Sequence, residues 1–181
     1  MSLKSSVFIA TSLDGYIARG DGSIDWLDRA NESVPAGEDC GYGNFIESID
    51  VLVMGRNTFE KVLSFGDWPY TKPVVVLSRG QVSLPKSISQ TVCVSSEPPS
   101  ALVERLANSG AKHLYVDGGL VIQSFLREGL IDEITITVIP VLLGSGKPLF
   151  GTLGKEIELA HIATKAYEFG FVQSKYCVVK I

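Results

Sequence analysis

The apolar run Val51-Leu52-Val53-Met54 stops at Gly55, and Arg56, Asn57 and Thr58 follow at once. A run that short and that apolar reads as a strand buried on both faces. Other elements must cover both faces, which commits the chain to a sheet flanked by helices. A helix opening on Arg, Asn and Thr leaves free N–H groups and a positive dipole end where the strand stops, and both favour an anion. Gly55 has no Cβ, so a bound group can come close to its backbone. The theme returns at Val76-Leu77-Ser78-Arg79 and at Val116-Asp117-Gly118-Gly119. Three strand ends with anion-friendly chemistry point to one phosphorylated cofactor lying across one sheet.

The rest of the chain supplies the matching elements. Strands are expected at residues 6–11, 51–55, 73–78, 91–94 and 113–117. Helices are expected at about 38–49 and at 57–65, 99–108 and 120–127, with Pro99 suited to a first turn and Gly110 and Gly129 to C-terminal stops. On the third of these helices Leu102, Val103, Leu106 and Ala107 make one apolar stripe. Residues 132–138 alternate with period two, and 157–168 and 171–181 read as a hairpin turning at Gly170. The expected fold is α/β, with βαβ units followed by antiparallel strands in one mixed, mostly parallel sheet.

The bulk numbers agree with such a fold. A chain of 181 residues suits one domain spanning 1–181, and 45% apolar with 20% charged residues is ordinary for a well-cored soluble protein. A net charge of −4 argues against nucleic acid or an anionic membrane as partner. The first residues enter a strand without an apolar leader run, and no stretch approaches the roughly 18 apolar residues of a membrane helix. Cys40, Cys93 and Cys177 are odd in number and far apart, which suits reduced thiols in a cytoplasmic setting.

Taken singly, each strand end also fits a simpler account. Gly55-Arg56-Asn57-Thr58 could be a turn with a helix cap, Ser78-Arg79-Gly80 a surface loop, and Asp117-Gly118-Gly119 a sharp turn. All three, however, fall at the C-terminal ends of strands, where open α/β sheets bind ligands. The dinucleotide fingerprint G-x-G-x-x-G follows no strand, and Gly144-Ser145-Gly146-Lys147 fails as a phosphate loop because Pro148 follows the lysine. His113 and His161 are isolated and no cysteine pair has ligand spacing, so a metal site is not expected. No G-x-S-x-G elbow presents a nucleophile. Two further loops are candidates. Residues 12–18 follow the first strand, and 139–146 form an apolar run ending in glycines that could wall a substrate.

These segments, in this order, resemble the dihydrofolate-reductase-like superfamily. They are most similar to the reductase domain of the bifunctional riboflavin-biosynthesis deaminase-reductases and their stand-alone relatives. The resemblance rests on Ser12-Leu13-Asp14-Gly15, Met54-Gly55-Arg56-Asn57-Thr58-Phe59-Glu60, Asp117-Gly118-Gly119, Gly129-Leu130-Ile131-Asp132-Glu133 and Pro140-Val141-Leu142-Leu143-Gly144-Ser145-Gly146. It implies an NADPH-dependent reductase of a small heterocyclic substrate, acting as a homodimer. By that resemblance Gly55, Arg56, Asn57 and Thr58 would hold the pyrophosphate, and Ser78 and Arg79 the adenosine 2′-phosphate. Asp117, Gly118 and Gly119 would border the pyrophosphate, while Ala10 and Ile17 flank the nicotinamide. Ser12, Asp14, Tyr16, Leu143, Gly144 and Gly146 would line the substrate, and Asp14 or a water would deliver the proton.

The chain departs from this pattern in three places. Riboflavin-pathway reductases usually carry a lysine after the Asp-Gly of the first loop, and here it is Tyr16. No deaminase signature is present. Asp39 stands at about the interval where folate reductases place a pterin-anchoring carboxylate, but its surroundings, Glu38-Asp39-Cys40-Gly41-Tyr42, match poorly, and a solvated acid at a helix start is the better account. The resemblance implies first a reductase of the riboflavin-biosynthesis type, 5-amino-6-(5-phosphoribosylamino)uracil reductase-like, that adds hydride to a C=N or C=O bond. Tyr16 puts that substrate in question, and the alternatives are a dihydrofolate-reductase-like activity on a pterin and a nucleotide-binding protein of this fold without turnover.

Overall fold

β-Branched and apolar runs bounded by glycine and proline set the strand pattern in the computed structural model, which describes residues 3–180; Met1, Ser2 and Ile181 lie outside it. The first half of the chain runs β1 (Lys4–Ser12), β2 (Tyr16–Ala18), α1 (Asp25–Asn31), α2 (Tyr42–Glu47), β3 (Val51–Gly55), α3 (Arg56–Leu63) and β4 (Val74–Leu77). The second half runs β5 (Val92–Ser95), α4 (Pro99–Asn108), β6 (His113–Asp117), α5 (Gly119–Arg127), β7 (Glu133–Ile139), β8 (Lys147–Pro148), β9 (Leu159–Ala166) and β10 (Val172–Val178).

Eight strands form one sheet in the order β5-β4-β3-β6-β1-β7-β10-β9. Pairing is parallel from β5 to β7 and antiparallel at β10 and β9. This is the expected mixed, mostly parallel sheet with a C-terminal hairpin.

Period-two alternation divides the core between the two faces. Val53 and Val116 pack with Leu102, Leu106, Ile122 and Phe125 of α4 and α5. Their chain neighbours Leu52, Met54 and Tyr115 point the other way and pack with Ile49 and Phe59. Phe59 and Phe125 are wholly buried, and truncating either to alanine is expected to cost about 3–5 kcal/mol. A third cluster joins Trp26 of α1 to Ile139 and Phe171, near the C-terminal ends of β1 and β7. β9 is exposed along its whole length at the sheet edge.

Four features differ from expectation. α1 was not anticipated. The helix expected over 38–49 is reduced to Tyr42–Glu47, because Cys40 and Gly41 both adopt left-handed backbone, with φ of 54° and 84°. The small antiparallel pair β2–β8 was also missed, since strands of three and two residues are too short to show a period. The last strand, expected to reach residue 181, ends at Val178, and Ile181 lies outside the described residues.

Candidate active site

β4, β3 and β6 are neighbours, so their C-terminal ends form one edge. The register keeps those ends level: Gly55 pairs with Leu77, and Met54 with Asp117. α3 and α5 start from this edge, and neither carries a side-chain N-cap. Their first N–H groups are thus available to an anion. Gly118 lies at φ 89°, and a Cβ there would sit 2.5 Å from Thr58 Oγ1. A Cβ at Gly119 would meet Ile17 Cδ1 at 3.0 Å and the Pro148 carbonyl at 3.1 Å. Thr58, Gly118, Gly119 and Ile17 therefore meet at one place, where only glycine leaves the backbone open. Gly55 has another role: its conformation is extended, and a Cβ would lie 3.1 Å from Val121 Cγ2. Its missing side chain lets α5 settle on β3.

A second group adjoins the first. The Arg56 guanidinium lies beside Gly80 and donates from Nε to Glu60 Oε1 at 2.7 Å. Ser78 Oγ donates to the Gly80 carbonyl and accepts the Gly80 N–H, which shapes a tight loop next to exposed Arg79. Asn57 is exposed on the first turn of α3. Arg56, Ser78 and Arg79 are brought together as a cationic rim.

The two candidate loops are clamped to each other. Asp14 Oδ1 accepts from Ser12 Oγ at 2.6 Å and from the Leu143 N–H at 3.1 Å, and Oδ2 accepts from the Gly144 N–H at 2.8 Å. Ser12 Oγ in turn accepts the Tyr16 N–H at 3.0 Å. The Ser12 hydroxyl first, then the two loop N–H groups, hold the Asp14 carboxyl below the usual range. A carboxylate held ionised by these three partner groups is a poor proton donor, and its geometry is that of a tie between the two loops. A Cβ at Gly146 would run into the Ala18 carbonyl and approach the Tyr16 ring, which packs the loops closely.

Ser12, Asp14, Tyr16, Leu143, Gly144 and Gly146 are thus assembled in one place, but they do not line the neighbouring cleft. That cleft has a volume of about 380 Å³. Phe8, Ala10, Asp117 and Thr137 form its floor at β1, β6 and β7, and Leu27 and Asn31 of α1 with Asp39 and Tyr42 face them. Gln173 Nε2 donates to Thr137 Oγ1 and to the Cys40 carbonyl, both at 2.9 Å, and so ties the 38–42 turn to the floor. Asp39 caps that turn: Oδ1 accepts the Gly41 N–H and Oδ2 the Gly43 N–H, each at 2.8 Å. These N–H groups, Gly43 first, lower its pKa.

Asp117 is the chemically distinctive group of the cleft. It is half-buried at the end of β6 and opens onto the cleft. Burial pushes its carboxyl up to about 6, against the weaker lowering effect of the Gly118 N–H bonded to Oδ1 at 2.8 Å. Burial also raises the phenols of Tyr42, Tyr70 and Tyr115, with the Asp117 charge adding to each. The phenols stay protonated, and the Tyr115 hydroxyl donates to the Phe8 carbonyl at 3.0 Å. Asp117 was read from sequence only as a cofactor neighbour. The available signal was a carboxylate ending the apolar strand Leu114-Tyr115-Val116.

The chain is similar to known proteins over nearly its whole length. The RibD C-terminal domain family matches residues 5–172. The uncharacterized protein YwjB of Bacillus subtilis strain 168 is 38% identical over 171 residues, covering 92% of this chain and 94% of YwjB. A candidate riboflavin biosynthesis protein from Shewanella sp. PV-4 superposes with a TM-score of 0.91 at 42% identity, covering 98% of this chain and all (100%) of that one. A Thermotoga maritima diaminohydroxyphosphoribosylaminopyrimidine deaminase/5-amino-6-(5-phosphoribosylamino)uracil reductase shares the fold, with a TM-score of 0.74 at 13% identity. This chain spans 57% of that larger protein.

Proposed function

The chain belongs to the RibD C-terminal domain family, and on that premise we propose that it is an NADPH-dependent reductase that adds hydride to a C=N or C=O bond of a heterocyclic substrate. The observation that carries this reading is the contact of Gly118 with Thr58 at the meeting of two uncapped helix starts. A pyrophosphate fits there because backbone N–H groups face it and no Cβ intervenes. Arg56, Ser78 and Arg79 would hold the adenosine 2′-phosphate, since charge-assisted bonds to guanidinium are roughly twice as strong as neutral ones. Ala10 and Ile17 would bound the nicotinamide side.

When bound, NADPH supplies the hydride; the protein orients the acceptor and handles the proton. Reduction of C=N or C=O also places one proton on nitrogen or oxygen. Asp117 is the group suited to that task, because its carboxyl opens onto the cleft and burial brings its pKa to about 6, within reach of neutral pH. The 12–16 and 143–146 loops, tied through Asp14, close the side of the site next to β2.

A second copy of the chain is the proposed partner. β9 is an exposed edge strand carrying Leu159 and Ile162, and Val172 is exposed at the start of β10, which suits pairing at the sheet edge. The free thiols of Cys40, Cys93 and Cys177 suit a reducing, cytoplasmic compartment.

The test is NADPH oxidation by the purified protein with a panel of aminopyrimidine, pterin and small carbonyl acceptors. Turnover with NADPH and much less with NADH is the expected result. Tight NADPH binding without oxidation of any acceptor would favour a binding protein of this fold.

A further inference from the structure

We infer that the substrate of this cleft is an unphosphorylated heterocycle, neutral or cationic, that offers N–H donors to Asp117. The inference rests on the reductase reading and concerns only what the hydride acceptor is.

The first observation is the charge of the lining. Glu38, Asp39 and Asp117 line the cleft, and no Lys, Arg or His among the described residues lines it. The neighbouring cations are committed or displaced. Arg19 Nε donates to Asp25 Oδ1 at 2.5 Å, and Arg29 pairs with the same carboxylate at 3.4 Å. Lys165 lies over the Tyr167 ring, 4.3 Å from its centroid, and lines the separate groove on the far side of Cys40. A phosphate ester needs a guanidinium, an ammonium or free N–H groups in reach. No cation of the lining supplies them.

The second observation concerns the remaining N–H groups. The start of α2 borders the cleft through Tyr42, and the N–H groups of Cys40, Gly41 and Gly43 are already taken by carboxylates. Asp39 accepts those of Gly41 and Gly43, and Glu38 Oε1 accepts that of Cys40 at 2.7 Å. This turn holds its own anions, which would repel a second one. It also keeps Cys40 in the left-handed region at φ 54°, so the two carboxylates are built into the backbone of the wall.

The third observation is the positive requirement. Asp117 makes one hydrogen bond among the described residues, from the Gly118 N–H to Oδ1. Oδ2 has no protein donor there, and the residue opens onto the cleft. This half-buried carboxyl, with one oxygen left for the cleft, can accept from a ligand bearing N–H donors. Adjacent ring N–H and exocyclic NH₂ groups, as in a 2-aminopyrimidine, provide them.

The experiment is calorimetry, in the presence and absence of NADPH, with a 2-amino-4-oxopyrimidine carrying a hydroxyalkyl chain and with its terminal phosphate monoester. Wild type is expected to bind the alcohol at least about tenfold tighter than the ester. Asp117→Asn is expected to weaken the alcohol by at least about tenfold, since it loses a charge-assisted bond. Asn31→Lys, which adds a cation at the exposed mouth, is expected to narrow the gap between the two ligands. Tighter binding of the ester by wild type, or binding of neither compound, would overturn the inference. Absence of any heat with NADPH alone would instead defeat the reductase reading, so the two failures are told apart.

Discussion

At the ends of β3, β4 and β6 the groups turned toward a ligand are backbone N–H groups and the cations Arg56 and Arg79. Beneath α1 and the 38–42 turn the cleft is bordered by Asp117 and by Glu38 and Asp39, whose carboxylates hold backbone N–H groups of that turn. The first region is made of chain geometry, with glycine where two helix starts meet and a level strand register behind them. The second is made of side chains that arrive from distant parts of the chain and meet only in the fold. The difference teaches that one molecule of net charge −4 can present a cationic rim at one strand edge and an acidic cleft beside it. Charge summed over the chain says nothing about either.

The largest break in this comparison should come from Asp117→Asn. Loss of the cleft-facing carboxyl is expected to lower kcat/KM about a hundredfold, the scale of a positioned acid–base group, with NADPH affinity unchanged. The same variant should be more stable than wild type at alkaline pH. The sign follows from the raised pKa. The folded state holds the proton more tightly than the unfolded state, so wild-type stability is greatest below the unfolded value of 3.8 and declines as pH rises toward about 6. Above that window Asn is expected to gain up to about 3 kcal/mol, and at low pH the gain vanishes, as thermal melting across the range would show.

Arg79→Ala acts on the other region and should do less. NADPH affinity is expected to fall about tenfold, the loss of one charge-assisted contact, while NADH affinity stays level. A ratio of NADPH to NADH affinity that does not move would remove Arg79 from the cationic rim.

The smallest effect is expected from Asp14→Asn. The amide keeps one acceptor for the 143–144 N–H groups, so KM should rise only a few-fold, about the scale of one weakened hydrogen bond, and kcat should hold. A large fall in kcat with a displaced pH profile would return Asp14 to proton delivery.

The strand-end geometry was largely legible in the sequence because each part is local. Gly55-Arg56-Asn57-Thr58 and Asp117-Gly118-Gly119 announce a strand end and a helix start within four residues, and one sheet places them side by side. Even so, the glycine at 55 serves helix–strand packing with Val121, a long-range contact that local reading could not supply. The cleft beneath α1 was mostly illegible. α1 packs Trp26 on Ile139 and Phe171, residues more than a hundred positions away in the chain. The 38–42 turn depends on Gln173 reaching back to the Cys40 carbonyl. Asp39 borders this cleft, but its oxygens face backbone N–H groups. Asp14 had a motif's position and none of a proton donor's surroundings.

The central claim is that the junction of Thr58 with Gly118 seats the pyrophosphate of NADPH. Calorimetric titration of NADPH into wild type and Gly118→Ala tests it most directly. Wild type should give saturable heat, and the variant should give none while retaining its circular dichroism, because a Cβ at φ 89° would stand 2.5 Å from Thr58 Oγ1. Equal heat from both proteins, or none from wild type, would contradict the account.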